Sequence, residues 1–408
     1  MDLRRRLARL DRMTRRDVVD LDAVDTTDGG APDTARGAPP EAPPAELGLR
    51  EESTGSGPCW VREWREAPPA VPDALPDLTG LLSRHGDSRP GRGQVLLVDT
   101  ETTGLAGGTG TLAFLVGVAW WEGSELVVRQ LFLPGPGREA ALLAALAEWA
   151  AGFAVVVTYN GASFDLPLLR TRALMNRRAD PLAHLLSWDL LPAARRLWGR
   201  SLPDCRQQTV ESVVCGLVRG EGDIEGARIP EVWRAWLSGG DTEELLCVLR
   251  HNRRDLFGMA CILERLCGES AALAAEPAAV EDWRRAWALA RVAERRRDDA
   301  AAARWLAAAL EAGGGTEARA AGVAFAVDAV RILKRARLWE DLERLLHTEI
   351  AAGAGAWAHR EAAILYEHRL PRLELALRHA GELDDPGRLA RLQRRLARVA
   401  GAAVEDER

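Results

Sequence analysis

Hydrophobic residues follow two different spacings along the chain, which predict a sheet-containing first part and a helical second part. Three apolar runs, 93–100, 111–121 and 126–133, are separated by short segments, as is typical of neighbouring strands. Residues 138–152 have helical spacing, and residues 153–160 return to a valine-rich strand pattern. The predicted order is βββαβα with further helices after it. This order predicts an α/β fold in which helices cover a mixed sheet and polar residues at strand ends share a cleft.

The second part begins at about residue 271, where Ala, Leu and Arg recur at helical spacing. Helix pairs are predicted near 283–312, 323–350 and 357–380. Their offsets of about 40 and then about 34 residues are in the range of tetratricopeptide-like helical repeats. An irregular helical bundle is the alternative. We therefore predict an all-α, repeat-like domain over residues 271–400.

The N-terminal part has a different composition. Residues 3–20 resemble a short charged helix, and the segment from Thr26 to about Gly57 is rich in Pro, Gly and Ala. Such a segment cannot bury a core. We predict a charged helix and disordered linker over 1–58, a lead-in segment over 59–92, and the α/β domain over 93–268.

Composition restricts the class of protein. The 408 residues are 47% hydrophobic and 28% charged, the balance of a soluble globular protein with two folded units. The net charge of -6 gives no overall signal for nucleic acid. Six cysteines without a CxxC pair indicate neither a zinc site nor a redox motif. The first residues contain no apolar secretion signal, and no apolar run reaches about 18 residues, so we expect a cytoplasmic protein without a membrane span.

The first chemical motif is the pair of acids in VLLVDTETTG. Asp99 and Glu101 lie two residues apart at the end of a strand, so both side chains point to the same face. Carboxylates held this close repel each other unless a cation lies between them. The pair therefore indicates a divalent metal site. Two solvated acids at a strand end are the alternative for this motif on its own.

Two later motifs carry further acids. In VTYNGASFDLPLL, Asn160 ends a strand and Asp165 begins the next helix, where it could instead be a helix cap. In LRHNRRDLFGM, His251 and Asp255 lie four residues apart on one helix face, which could also belong to an ion-paired surface helix. The order of the three motifs is more specific than any one of them.

The three motifs carry a family resemblance. From about residue 94 to 268, the chain resembles the DEDD exonucleases of the ribonuclease H-like superfamily, whose motifs match DTE, YNGASFD and HNRRD in order and spacing. More narrowly, DTETTGLAGGTGTLAFLVG resembles bacterial stand-alone ribonuclease H-like domain proteins, in which a glycine-rich turn follows the first motif. The resemblance covers somewhat under half of the chain.

The resemblance implies a metal-dependent nuclease, a 3′–5′ exonuclease acting on DNA or RNA. Asp99, Glu101, Asp165 and Asp255 would hold two Mg²⁺ or Mn²⁺ ions, since oxygen ligands suit these cations. His251 takes the place of a tyrosine or histidine that orients or deprotonates the attacking water. Its H-x3-D spacing matches the tyrosine-type pattern with histidine substituted.

Further expectations concern substrate and partners. Thr102, Asn160 and Phe164 are expected to contact substrate, although Asn160 could only cap the strand turn. We expect a single-stranded nucleic-acid end as partner, no membrane, and a protein partner at the helical tail. One alternative function is a nucleic-acid-binding or scaffolding protein with a weak or silent nuclease domain. Another is endonucleolytic cleavage of a hybrid, which the third motif disfavours.

For three other features we expect a structural role in preference to a functional one. Asp189 is expected to cap a helix, with a place in the cleft as the alternative. A glycine-rich turn is expected after the first motif, and an arginine cluster is expected to be a solvated face in preference to a phosphate grip. The residues of this turn and this cluster are Gly104, Gly107, Gly108 and Gly110, and Arg195, Arg196 and Arg200.

Overall fold

The strand that carries Asp99 and Glu101 lies inside a mixed sheet of seven strands, counted over the part of the chain that the structure describes. This computed structural model describes residues 41–82, 90–104, 110–220, 223–240, 242–277, 280–314 and 323–406. The strand order is β1-β2-β5-β4-β3-β6-β7. The strands are β1 (Arg50–Thr54), β2 (Gly57–Glu66), β3 (Val95–Thr102), β4 (Ala113–Glu122), β5 (Glu125–Phe132), β6 (Val155–Thr158) and β7 (Leu186–Asp189).

Helices cover the sheet and then continue alone. Those of the sheet-containing part are α1 (Glu139–Ala150), α2 (Asp165–Met175), α3 (Leu190–Leu197), α4 (Gln207–Val210), α5 (Ile229–Trp236) and α6 (Thr242–Ala274). The later ones, which we call the helical tail, are α7 (Trp283–Arg296), α8 (Asp299–Ala309), α9 (Val323–Ala336), α10 (Trp339–Ala351), α11 (Ala356–His368), α12 (Leu373–Gly381) and α13 (Pro386–Asp406).

Strand pairing brings the predicted motifs to one edge of the sheet. β3 pairs antiparallel with β4 but parallel with β6, and β6 pairs parallel with β7. Because the carboxyl ends of parallel strands lie together, the ends of β3, β6 and β7 form one edge. The register between β3 and β4 shifts at Glu101 and Thr102, where β3 ends.

The alternation of side chains along β3 divides the hydrophobic core into two clusters. Leu96 and Val98 pack with α1, α5 and the start of α6, whereas Val95 and Leu97 pack with the middle of α6 and with residues of the tail. Buried strands of this kind are continuous apolar runs, as the sequence shows. Asp99 and Glu101 continue the alternation of Val95 and Leu97.

The predicted fold class is confirmed. A mixed sheet with flanking helices is followed by an all-helical region. The strands and helix of the βββαβ run correspond to β3, β4, β5, α1 and β6. The three predicted helix pairs correspond to α7 with α8, α9 with α10, and α11 with α12. The tetratricopeptide-like character of these pairs remains a prediction.

The prediction of a linker as far as residue 58 is wrong for its last part. Arg50–Thr54 form β1, and β2 begins at Gly57, so two strands of the sheet precede the predicted start of the α/β domain at residue 93. The hairpin is held by Trp60, which is fully buried against Phe132 and Trp236. All five residues of β1 are exposed or partly buried, so β1 lacks the apolar pattern from which β3 to β6 were predicted. The predicted helix over residues 3–20 lies outside the described residues.

Helix α6 connects the sheet to the tail. It has 33 residues and carries His251 and Asp255 near its start. Two arginines also contact residues across this connection: the Arg200 guanidinium lies 4.1 Å from the ring centroid of Trp287 in α7. Arg296 Nε donates to the Thr79 carbonyl at 2.6 Å. Among the described residues, no helix is both long and apolar enough to cross a membrane.

Candidate metal centre

Asp99 is fixed by a side chain of α6 that lies directly on the sheet. Asn252 Nδ2 donates to Asp99 Oδ2 at 2.8 Å, and Gln130 Nε2 in β5 donates to Asn252 Oδ1 at 2.7 Å. Asp99 is paired across the strands with Gly117. A Cβ on Gly117 would lie 2.1 Å from Asn252 Oδ1, so this position requires glycine for the helix to approach. Asn252 therefore sets the orientation of the first carboxylate.

Asp165 reaches the site from the turn after β6. Asn160, two residues after the end of this strand, has a φ of 66°, in the left-handed region that asparagine tolerates. Asp165 is the first residue of α2 and is not its cap, because Phe164 holds the cap position. Thr100 Oγ1 in β3 donates to Asp165 Oδ1 at 2.5 Å. The alternative role of Asp165 as a helix cap is thus not what the structure shows.

His251 and Asp255 belong to a closed ring of polar contacts. His251 Nδ1 lies 2.8 Å from Asp223 Oδ1, and His251 Nε2 lies 3.4 Å from Asp255 Oδ2. Arg219 Nη1 contacts Asp223 Oδ2 at 3.1 Å, and Arg219 Nη2 donates to Asp255 Oδ1. The ring holds both Asp255 oxygens and directs His251 Nε2 towards the other acids. The alternative of an ion-paired surface helix is excluded for His251, which is 6% exposed.

The segment after α4 supports this ring from behind. Arg219 Nε and Nη2 both donate to Glu211 Oε2, at 2.9 and 2.8 Å. Gln207 Nε2 donates to Glu211 Oε1 and to the Asp255 carbonyl, each at 2.8 Å. A Cβ on Gly258 would lie 1.8 Å from Glu211 Oε1, so glycine at this position of α6 lets the buried carboxylate approach.

The acids converge closely enough to share a cation. Ligand atoms of Glu101, His251 and Asp255 all lie within 4.8 Å of one another. Asp165 is close enough that its charge raises the pKa of both Asp99 and Glu101. The four carboxylates are hard oxygen donors, which suit Mg²⁺ or Mn²⁺, so the residues present fit such an ion.

The comparisons with known proteins address the same region. Residues 96–267 match the model of a family described as the RNase_H superfamily. This segment is therefore similar to ribonuclease H superfamily domains. It includes all five residues of the predicted centre, and members of this superfamily are generally nucleases.

Two known proteins are similar to parts of the chain. The uncharacterized protein YprB of Bacillus subtilis (strain 168) is 35% identical over 184 residues, which are 45% of this chain and 43% of that protein. The chain thus matches less than half of the length of this relative. The structure of the family B DNA polymerase from the hyperthermophilic archaeon Pyrobaculum calidifontis covers 52% of this chain and 30% of its own, at 16% identity and a TM-score of 0.34.

Electrostatics at the candidate metal centre favour protonated acids when no cation is bound. Burial raises the pKa of Asp99 well above its usual range, and the charges of Asp255, Glu101 and Asp165 raise it further. Burial also raises the pKa of Glu101 to about 8. The pKa of Asp165 is raised by burial, in opposition to its hydrogen bond from Thr100. A divalent ion would reverse this preference, because it stabilises the ionised forms.

His251 experiences opposing influences. Burial lowers its pKa, but Asp255, Glu101 and Asp223 together raise it above the usual value for histidine. Burial alone would raise the pKa of Asp223, but the hydrogen bond and charge of His251, together with Arg219, lower it. The carboxylates around His251 therefore favour its protonated, imidazolium form as long as no cation is bound at the metal centre.

The residues predicted to contact substrate lie around this centre. Phe164 is 56% exposed and immediately precedes Asp165. Asn160 N donates to Asp189 Oδ1 at 2.8 Å, so its backbone is part of the strand turn. Thr102 Oγ1 donates to the Gly104 carbonyl at 2.8 Å and so shapes the turn after β3. Their contact with substrate remains a prediction.

Asp189 and two arginines of the cluster make contacts within the protein. Asp189 is the cap of α3, as predicted, and its Oδ1 accepts from the Leu191 amide at 3.0 Å. Within the arginine cluster, Arg196 donates to the Leu81 carbonyl and Arg200 stacks on Trp287. These two arginines make contacts within the protein and are not merely a solvated face. Gly107 and Gly108 lie outside the described residues.

Sequence reasoning missed the residues that orient the acids. Asn252 stood within the HNRRD motif, and a polar residue on the buried face of an apolar helix could have identified it. Arg219, Asp223 and Glu211 lie in a segment with no motif and no periodicity. Only the folded chain brings them to His251 and Asp255, which are at least 28 residues away.

Proposed function

We propose that this protein is a divalent-metal-dependent 3′–5′ exonuclease that hydrolyses phosphodiester bonds of single-stranded DNA or RNA. The observation that carries the proposal is the convergence of Asp99, Glu101, Asp165 and Asp255 at one edge of a ribonuclease H superfamily sheet. Buried acids that raise one another's pKa destabilise the fold, and clusters of this kind are typical of functional sites. A bound divalent cation would offset their repulsion and would serve phosphoryl chemistry.

The four carboxylates would hold Mg²⁺ or Mn²⁺. A bound ion would supply Lewis acidity towards the scissile phosphate and towards the attacking water. The chain prepares this site before any ion binds, since Asn252 orients Asp99 and Thr100 orients Asp165. Preorganised ligands reduce the reorganisation that binding and reaction would otherwise need.

His251 is proposed to accept the proton of the attacking water at Nε2. Asp223 accepts a hydrogen bond at His251 Nδ1, which fixes the ring and leaves Nε2 as the atom that faces the acids. Asp255 also contacts the imidazole of His251, and Arg219 contacts Asp223, so both side chains are restricted further. This arrangement is a base with an orienting carboxylate, as general acid–base catalysis requires.

The end of the strand is proposed to lie against Phe164. Its ring is exposed beside Asp165, and aromatic faces bind bases without requiring a particular sequence. An end bound in this way would place its last phosphodiester next to the acids. This position favours removal of terminal nucleotides over cleavage inside a strand.

The proposal is tested by incubating the protein with 5′-labelled single-stranded DNA and RNA oligonucleotides in Mn²⁺ buffer. A 3′–5′ exonuclease shortens the labelled strand one nucleotide at a time, and a blocked 3′ end prevents this. Internally labelled substrate distinguishes an endonuclease by the size of its fragments. The two sugars are compared in parallel.

Asp99→Asn is the inactivating variant, and Asp384→Asn in the tail is the matched control because Asp384 is exposed. We expect no shortening with the first variant and wild-type shortening with the second. Intact DNA and RNA after incubation with wild-type protein would refute the enzymatic function and leave a binding or scaffolding role.

A further inference from the structure

A basic pocket lies beside the proposed metal centre and is lined in part by residues of α6. It has a volume of about 400 Å³, at the smaller end of the range for ligand pockets. Four guanidinium groups line it, together with the apolar side chains of Val218 and Phe257. The arginines are Arg219, Arg250, Arg253 and Arg254.

The residues that line this pocket carry more positive than negative charges. Among its lining residues, four arginines face two carboxylates, Glu66 and Glu211. Arg253 Nη2 pairs with Glu66 Oε2 at 2.7 Å, and Arg219 pairs with Glu211. The Arg250 side chain is exposed and has no ion-pair partner among the described residues. Arg254 Nη1 is buried, lies 3.4 Å from Asp223 Oδ1 and makes no hydrogen bond within the described structure. Among the described residues, the pocket thus offers one guanidinium without an ion-pair partner, that of Arg250, and one donor without a hydrogen bond, Arg254 Nη1.

A neighbouring arginine confirms that positive charge accumulates here. The pKa of Arg62 is lowered by burial and then by the charges of Arg250 and Arg253. Its guanidinium lies 4.3 Å from the ring centroid of Trp64, and that of Arg253 lies 5.3 Å from the same ring. Three guanidinium groups that repel one another destabilise the free protein, and a bound anion would relieve this repulsion.

The apolar part of the pocket suits a base. Val218 is 88% exposed, although it is a large hydrophobic residue, and Phe257 is only partly buried. Exposed apolar residues next to several guanidinium groups provide the two chemistries of a nucleotide, a stacking or packing surface and a phosphate site.

Arg219 connects the pocket with the metal centre. It lines the pocket and also donates to Asp255. On the basis of the proposed function, we propose that this pocket binds one nucleotide of the single-stranded nucleic acid being degraded, with its phosphate at Arg250 and Arg254 and its base against Val218 and Phe257. It is a second contact on the strand, apart from the reacting end.

The test measures binding without cleavage. Fluorescein-labelled 12-nucleotide oligo(dT) and oligo(U) are titrated with full-length protein in EDTA, and fluorescence anisotropy gives the dissociation constant. Arg250→Glu is compared with Arg250→Lys, and with Arg360→Glu as a control of equal charge change on an exposed residue of α11. Since Arg250 is exposed, these variants are expected to unfold at the wild-type temperature.

We expect Arg250→Glu to weaken binding at least about fivefold and to lower the salt dependence by about one phosphate contact. Arg250→Lys keeps the positive charge at the phosphate and should stay within about twofold of wild type. Arg360→Glu should also stay within about twofold, because Arg360 is not among the residues that line the pocket. Equal binding by the two Glu variants, or no measurable binding by wild-type protein, would overturn the proposal. So would a dependence on Arg250 for free AMP or dAMP but not for the oligonucleotides.

The binding experiment and the cleavage assay can succeed or fail separately. If the oligonucleotides stay intact in Mn²⁺ but their binding depends on Arg250, the proposed function fails and the pocket stands. If they are degraded and binding does not depend on Arg250, the pocket fails and the exonuclease stands.

Discussion

Replacing Glu101 by glutamine should stabilise the metal-free protein at alkaline pH. The side chain is 9% exposed and lies among Asp99, Asp165 and Asp255. The folded state holds the Glu101 proton more tightly than the unfolded state does. Between the unfolded and the folded pKa, the unfolded state therefore binds fewer protons, and the free energy of unfolding falls as pH rises. Glutamine cannot ionise, so it removes both this pH dependence and the repulsion between the Glu101 carboxylate and the neighbouring acids.

The size of the effect follows from the pKa of Glu101, which burial raises from 4.5 to about 8. At about 1.4 kcal/mol per pH unit, this rise corresponds to at most about 5 kcal/mol, lost between pH about 4.5 and about 8. Since 1 kcal/mol moves Tm by about 2–4 °C in a unit of 150–250 residues, we expect the Tm of the metal-free wild type to fall by at most about 10–20 °C over this range.

The assay is thermal unfolding in EDTA at several values between pH 5 and pH 8. Glu101→Gln should match wild type at pH 5 and exceed its Tm by about 5 °C or more at pH 8. Mn²⁺ should raise the Tm of wild type more at pH 8 than at pH 5. Glu340→Gln, at an exposed site in the tail, should keep the wild-type pH dependence. A Tm of Glu101→Gln that falls as steeply as that of wild type would refute the reasoning.

Two further predictions concern the residues that orient the acids. Gly117→Ala should lower the free energy of unfolding by about 1–3 kcal/mol, because its Cβ would collide with Asn252; Gly137→Ala, with nothing within 4 Å, should unfold like wild type in the same denaturant titration. If both alanine variants are equally stable, the close approach of α6 to β4 is incorrect. Asp223→Asn should reduce the rate of oligonucleotide shortening about 10- to 100-fold, because the ring of His251 loses its charged partner. A wild-type rate in this variant would remove Asp223 from the mechanism.

The sequence predicted those parts of the structure that local pattern determines. Apolar runs identified β3 to β6, because strands buried on both faces leave no polar alternation. The spacing of Asp99 and Glu101 placed both acids on one face, and the helical spacing placed His251 above Asp255. These relations need only the periods of a strand and a helix.

What the sequence did not predict depends on contacts between distant segments. β1 lies in a polar segment whose strand character comes from pairing with β2, and β2 is itself held by burial of Trp60. Asp223 and Arg219 reach the site only because the segment after α4 folds back onto α6. No local sequence pattern predicts that this segment folds back, so the polar contacts that orient His251 could be identified only from the structure.

The central claim is that the acids at the end of β3 form a divalent metal centre for phosphodiester hydrolysis. It is tested most directly by anomalous diffraction from crystals of the protein soaked with Mn²⁺ and a short oligonucleotide. The account predicts anomalous peaks enclosed by the carboxylates of Asp99, Glu101, Asp165 and Asp255, with the 3′ end of the strand beside them. Saturating Mn²⁺ that leaves these carboxylates without a peak, or peaks bound only by other residues, would contradict it.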